Sequence, residues 1–321
     1  MASHNSTPEP KSFGPTHIID PVQEHTHTVV FLHGRGSSGD EFAEELFDSS
    51  LSSSSESLTQ QLPNWRWVFP SSRELWSATF QEYLPAWFEA PSLTDVTASQ
   101  ELQAPGIRDA VRHVRQILDG EIERLGGRAE RVFLAGISQG GAIAMWTLLC
   151  HSCRCEGGGD SEVPRNPDLS RGGGGGELGG LVLASAWLPF ATELERFHAS
   201  RKSEMRQDGA HDEVLNSRKA ADDCGWHGAS AFVRDMLAET TQQTLQSQAL
   251  LSQALSTPVF FGHGVDDAYV DVALGRQAAD VLGTTGYDVV WTEYSGAEQE
   301  GHWFKVPDEV VDIVAFLQKH A

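Results

Sequence analysis

The stretch AGISQGGAIAMW, residues 135–146, follows the short apolar run RVFL and continues into small and apolar residues. Within it, Gly136-Ile137-Ser138-Gln139-Gly140 fits the pattern G-x-S-x-G. An apolar, β-branched run before the pattern and a small-residue run after it set the serine at a strand-to-helix turn. Such a turn holds its serine in a strained backbone conformation and leaves room only for small neighbours. The hydroxyl is then presented at the carboxyl edge of a sheet, and the backbone N–H of Gln139, at the start of the helix, is aimed where an oxyanion would form. Ser138 is the expected nucleophile.

A serine hydroxyl is a weak nucleophile until a base takes its proton, so a histidine and an orienting carboxylate are needed. In this kind of sheet they follow in the order serine, acid, histidine, each after a strand. After TPVFF comes GHGVDDAYVDV, which offers Asp266, Asp267 and Asp271. After VVWTEY comes SGAEQEGHWF, which offers His302, the histidine between the last strand and the last helix. His302 is read as the base and Asp267 as the acid, although spacing alone does not exclude Asp266. His263 is the rival base, but its place at a strand end between glycines suits a buried hydrogen-bonding residue better.

Outward from this core, strand-like and helix-like runs alternate. THTVVFLHG, WRWVFP, RVFLAG, LGGLVLASAW, TPVFFGHG and YDVVWTEY read as strands, QGGAIAMWTLLC and PDEVVDIVAFLQKH as helices. Between Gly106 and Leu125, Ile107, Val111, Val114, Leu118, Ile122 and Leu125 recur every three or four residues, and Gly126-Gly127 follows as a stop. The expected fold class is α/β, a mainly parallel central sheet flanked by helices. Residues 1–24 read as a flexible arm, and residues 25–321 as one hydrolase domain. Two stretches break the rhythm of that domain: a Gly-rich loop at 156–180, and a polar segment at 193–255 read as an inserted helical or cap-like piece.

The 321 residues carry 23 Lys and Arg against 45 Asp and Glu, a formal charge of -22. That charge repels nucleic acid and anionic membrane surfaces, so neither is an expected partner. No run reaches the length of a membrane span and the N-terminus has no apolar leader core, so stable membrane insertion is not expected and a cytoplasmic location is. Cys150, Cys153 and Cys155 crowd together and Cys224 stands alone, which is no disulfide framework; the cluster reads as reduced surface thiols and not as a metal site. No cofactor is expected.

Several motifs together carry a resemblance. LHGRGSSG at 32–39, FPSSRE and AWFE within 69–89, GISQGGAIA at 136–144, SAWLP at 185–189, HGVDD at 263–267 and GHWF at 301–304 resemble, in order, the motifs of the phospholipase/carboxylesterase family. This is the acyl-protein thioesterase-like branch of the α/β-hydrolases. The resemblance implies a Ser138, Asp267, His302 triad and an oxyanion hole made by the backbone N–H groups of Arg35 and Gln139. It makes His33 a packing residue behind that hole, while the Arg35 side chain reads as exposed. Trp76, Trp87, Phe88 and Trp187 are candidates for an acyl pocket, Trp87 and Trp187 foremost. Ser37 stands where the family carries an acid, Ala268 where a proline often follows the catalytic aspartate, and the segment 193–255 is far longer than its counterpart.

The expected function is a cofactor-independent serine hydrolase that cleaves carboxylic esters or thioesters through an acyl-enzyme. An acylated protein or a small ester or thioester is the expected substrate. Two alternatives are a carboxylesterase for small esters or lysophospholipids, and a noncatalytic protein that keeps the pocket as a ligand receptor.

Overall fold

The computed structural model describes residues 12–51, 57–77, 81–90, 92, 95, 98–152, 176–207, 227–238 and 257–321. Seven strands form the central sheet: β1 (Thr16–Ile19), β2 (His27–Leu32), β3 (Trp65–Pro70), β6 (Val132–Ile137), β7 (Gly180–Ala184), β8 (Val259–Gly264) and β9 (Val289–Tyr294). Their order is β1-β3-β2-β6-β7-β8-β9, and every pairing is parallel except that of β1 with β3. A separate antiparallel hairpin, β4 (Arg73–Ser77) and β5 (Glu82–Ala86), follows β3.

The central strands are apolar at successive positions because both sheet faces are covered. Val30 and Leu32 of β2 point to one face, where they pack with α3 (Gln100–Arg124), α4 (Gln139–Ser152) and α7 (Val272–Thr285). Val29 and Phe31 point to the other, against α1 (Gly39–Leu51) and α8 (Asp308–Lys319). The periodic residues Ile107, Val111, Val114, Leu118 and Ile122 all lie on the buried side of α3. This helix begins at Gln100, ahead of Gly106, and ends where Gly126 and Gly127 take positive φ and return N–H groups to the Glu123 and Ile122 carbonyls.

Two readings change. The arm drawn over residues 1–24 is ordered from within: Thr16–Ile19 pair antiparallel with β3, register Thr16 to Pro70, and extend the sheet by one edge strand. A four-residue run too short for an alternation to stand out left it without a sequence signal; residues 1–11 lie outside the described residues. Cys150 is not a surface thiol. It is 1% exposed on α4, its Sγ 3.6 Å from the Met236 carbonyl, because α4 is covered on both sides. Cys153, Cys155, Cys224 and most of the Gly-rich loop lie outside the described residues.

The inserted segment contributes α5 (Ala191–Gln207) and α6 (His227–Ala238); residues 208–226 and 239–256 lie outside the described residues. Helix α6 docks on α3 and α4. Its Phe232 ring meets Trp146 at 5.3 Å and Phe190 at 4.4 Å, and its Asp235 pairs with Arg108 at 3.9 Å. This is a hydrophobic seam with a weak ion pair at its rim, so burial and not charge holds it. Truncating Leu118, fully buried on α3, leaves a cavity that α3 and α4 cannot close: Leu118→Ala is expected to cost about 2–5 kcal/mol in chemical denaturation with KM unchanged.

Candidate active site

Strand β6 ends at Ile137 and α4 starts at Gln139, so the chain reverses within one residue, and that residue, Ser138, has φ of 54°. A β-carbon on Gly140 would run into the Leu32 and His33 carbonyls. The helix can therefore approach β2 only with glycine there, and that approach sets the serine at the sheet edge. Gly34, on the loop after β2, packs against the same serine: a β-carbon there would stand 3.4 Å from Ser138 Cβ.

His302 arrives on the loop between β9 and α8. Gly301, at φ of 84°, leans against the backbone of Asp266 and Asp267 without space for a side chain. The Ala268 N–H donates to the Glu300 carbonyl at 3.0 Å, joining this loop to the one after β8. Across the junction His302 Nδ1 lies 2.8 Å from Asp267 Oδ2. A carboxylate only accepts, so Nδ1 carries the proton and Nε2 keeps its lone pair.

The Asp267 side chain is fully buried. Its Oδ1 accepts from the Tyr269 and Val270 N–H groups at 2.8 and 2.9 Å. Burial pushes the carboxyl up; hydrogen bonds from His263 and His302, the His302 charge and the Val270 N–H outweigh it, and hold the group well below the usual carboxylate range. Asp266 turns away and accepts from the Gly296 N–H at 2.9 Å, while Asp271 accepts from Ala273 N–H at the start of α7. His263 is completely buried, its Nε2 2.9 Å from the Val270 carbonyl and 3.5 Å from Asp267 Oδ2. His263 and His302 thus both approach the same carboxylate oxygen of Asp267.

Ser138, His302, Arg35 and Gln139 line one cavity of about 620 Å³, together with Gly36, Glu82, Leu84, Ala90, Trp187, Tyr269, Val270, Gln299 and Glu300 among others. Of the aromatic candidates, Trp187 lines this cavity. Trp87 does not: it is 1% exposed, and its indole N–H donates to the His33 carbonyl at 2.8 Å. An aromatic next to a sheet edge was pulled into the core by that buried acceptor. Phe88 is likewise buried, and Trp76 is exposed on the hairpin beside Tyr83. Leu84 and Glu82 were missed because the hairpin itself was not read. Tyr269, Val270, Gln299 and Glu300 lie within three residues of Asp267 or His302, a proximity that would have found them. No described residue of α5 or α6 lines the cavity.

The Arg35 side chain is not free in solvent. Its guanidinium donates to the Ala90 carbonyl at 3.0 Å and to Ser77 Oγ at 3.2 Å. Behind it, His33 Nε2 accepts from the Ser72 N–H at 3.0 Å, so its proton sits on Nδ1, 2.6 Å from the Gly34 carbonyl. Burial pushes the His33 pKa down to about 4. In the unfolded chain the imidazole protonates near 6.5, so between those values the unfolded state binds the extra proton. The His33 contribution to stability is complete above pH 6.5 and declines by about 3 kcal/mol as the pH falls to 4. Denaturant titrations at several pH values test this: the fall should be smaller in His33→Gln, and parallel curves for the two proteins would contradict it.

Residues 14–157 match the phospholipase/carboxylesterase family model. A probable carboxylesterase, SOBER1-like, of Arabidopsis thaliana is 32% identical over 271 residues, covering 84% of this chain and 70% of the relative. Acyl-protein thioesterase 1 of Gibberella zeae is 24% identical over 306 residues, 94% of each chain. In fold, the chain is similar to the crystal structure of Zea mays acyl-protein thioesterase 2, with a TM-score of 0.56 at 21% identity, over 96% of this chain and 99% of that one. The mainly parallel sheet, the flanking helices and these likenesses together show that the chain belongs to the phospholipase/carboxylesterase family of α/β-hydrolases.

Proposed function

We propose that this ester hydrolase works through an acyl-enzyme on Ser138. The observation that carries the reading is the 2.8 Å contact between His302 Nδ1 and the buried Asp267, at the wall of the same cavity that Ser138 lines. Ser138 Oγ adds to the substrate carbonyl as its proton passes to His302 Nε2, and Asp267 holds the imidazole and stabilises its charged form. The carbonyl oxygen becomes an oxyanion facing the backbone N–H groups of Arg35 and Gln139. The bond from carbon to the alkoxide or thiolate then breaks, and the leaving group takes the proton from His302. A water gives a proton to the same nitrogen and adds to the acyl-serine; as the bond from carbon to Ser138 Oγ breaks, that proton passes to Oγ, and the carboxylic acid leaves with Ser138 restored.

Leu84, Ala90, Trp187 and Val270 give the cavity an apolar wall for an acyl chain, and its volume falls in the range of roughly 300–1,000 Å³ usual for small-molecule sites. The favoured substrate is an acyl thioester or ester, with S-acylated protein as one class, supported by the likeness to acyl-protein thioesterases. The 32% identity to a probable carboxylesterase supports a second reading, hydrolysis of small esters. A cytoplasmic location is proposed from the cysteine usage and from the finding that no described helix is long and apolar enough to cross a membrane.

Fluorophosphonate labelling beside hydrolysis of p-nitrophenyl acetate, butyrate, octanoate and palmitate and a palmitoyl thioester tests the proposal. Ser138→Ala should abolish labelling and lower kcat more than about a thousandfold. A folded wild type that neither labels nor turns over would contradict the mechanism, and the chain-length profile separates the two substrate readings. Between the neighbouring acids, Asp267→Asn should lower kcat by roughly 10³- to 10⁴-fold through loss of the imidazole's orientation, whereas Asp266→Asn should leave it nearly unchanged. The reverse order would reassign the acid.

A further inference from the structure

The two residues whose backbone N–H groups face the oxyanion, Arg35 and Gln139, sit on different loops, one after β2 and one at the start of α4. Their side chains reach the same short segment, residues 85–90. The Gln139 side chain, on a residue 1% exposed, folds back from the helix. Its Oε1 accepts from the Trp87 N–H at 2.8 Å and its Nε2 donates to the Phe88 carbonyl at 2.9 Å. Arg35 Nη1 donates to the Ala90 carbonyl at 3.0 Å. Two further bonds tie the loop after β2 to this segment: the Gly36 N–H to the Pro85 carbonyl at 2.8 Å, and the Trp87 indole N–H to the His33 carbonyl at 2.8 Å.

We infer that residues 85–90 form a strap that sets the separation of the two oxyanion donors, and that the side chains of Arg35 and Gln139 are positioning residues for their own backbone N–H groups. The inference rests on the proposed acyl-enzyme mechanism and adds to it. An oxyanion hole acts only if its donors already stand where charge will develop, and a displacement of about 1 Å can cost about a hundredfold in rate. β2 and β6 pair directly, and Gly34 and Gly140 bring the two loops into contact at Ser138; the strap adds hydrogen bonds to both loops on the side away from that contact, through the side chains of the two donor residues themselves. The Gln139 amide suits the task because it pairs one donor and one acceptor with two successive residues of a buried backbone, which would otherwise be left unsatisfied. Arg35 lines the same cavity as Ser138, yet its guanidinium donates to a neutral carbonyl and a hydroxyl, the pattern of a brace.

The test uses Gln139→Met, Gln139→Glu, Arg35→Met and Arg35→Lys in the full chain. Methionine keeps the length of either side chain without its hydrogen bonds, Gln139→Glu removes the donor to Phe88, and Arg35→Lys keeps one donor for the Ala90 carbonyl. Active sites are counted by exhaustive fluorophosphonate labelling, so that kcat refers to folded enzyme only. Each Met variant is expected to lose about 10- to 100-fold in kcat, within the range for a weakened oxyanion hole, with KM within about threefold. Affinity for a trifluoromethyl ketone, whose adduct with Ser138 places an oxyanion in the hole, should fall in parallel with kcat. The double Met variant should lose less than the product of the two single losses, since both act through one strap, and Arg35→Lys should recover part of the rate.

A merely structural role would lower the count of labelled sites while leaving kcat per site and ketone affinity as in the wild type, and that result overturns the inference. So does a rise in KM at unchanged kcat. If the wild type itself forms no acyl-enzyme, the proposed function has failed, and these variants are then not the cause.

Discussion

One turn governs the molecule. Between β6 and α4 the backbone passes through the left-handed region at Ser138, a conformation that costs a residue with a side chain of order 1–3 kcal/mol. The cost persists because the surroundings allow no alternative: β6 is paired with β2 and β7 on its two sides, and α4 is pressed so closely on β2 that Gly140 touches the Leu32 and His33 carbonyls. Everything that acts on a substrate is arranged around the point this turn fixes. The loop after β2 lies against the serine through Gly34, the cavity opens in front of it, and His302 stands across the cavity wall.

The opposite wall is organised by a buried negative charge. Asp267 accepts from two backbone N–H groups and from His302, with His263 beside it, so its carboxylate is kept ionised in a place where burial alone would neutralise it. A permanently charged acceptor fixes one tautomer of His302 and leaves its Nε2 lone pair for the proposed proton transfer from Ser138. The aspartate and the serine are reached by loops from four different strands, β2, β6, β8 and β9. The parallel order of those strands puts all four carboxyl ends on one edge.

Sequence carried the parts of this that depend on local chemistry. The glycine-flanked serine, the histidine after the last strand and the periodic face of α3 are each patterns that one segment imposes by itself. What stayed hidden depends on distant segments meeting. The edge strand at Thr16–Ile19 is defined by β3, fifty residues on, and not by its own four residues. Trp87 has the composition of a pocket residue, but its place was decided by a buried carbonyl on the loop after β2. Arg35 gave no sign that its guanidinium reaches the segment after the hairpin. The choice between Asp266 and Asp267 likewise needed the loop's backbone path, since neighbouring side chains point in opposite directions and only one meets the imidazole.

The claim on which the account turns is the covalent intermediate. Mixing the enzyme with a slowly released acyl ester, quenching in acid within the first turnovers and mapping the peptides by mass spectrometry measures it directly. An acyl adduct on Ser138 that appears before free acid accumulates and is absent in Ser138→Ala is the predicted result. Turnover of the same ester with no adduct on Ser138 at any time before steady state, or an adduct on another residue, would contradict it.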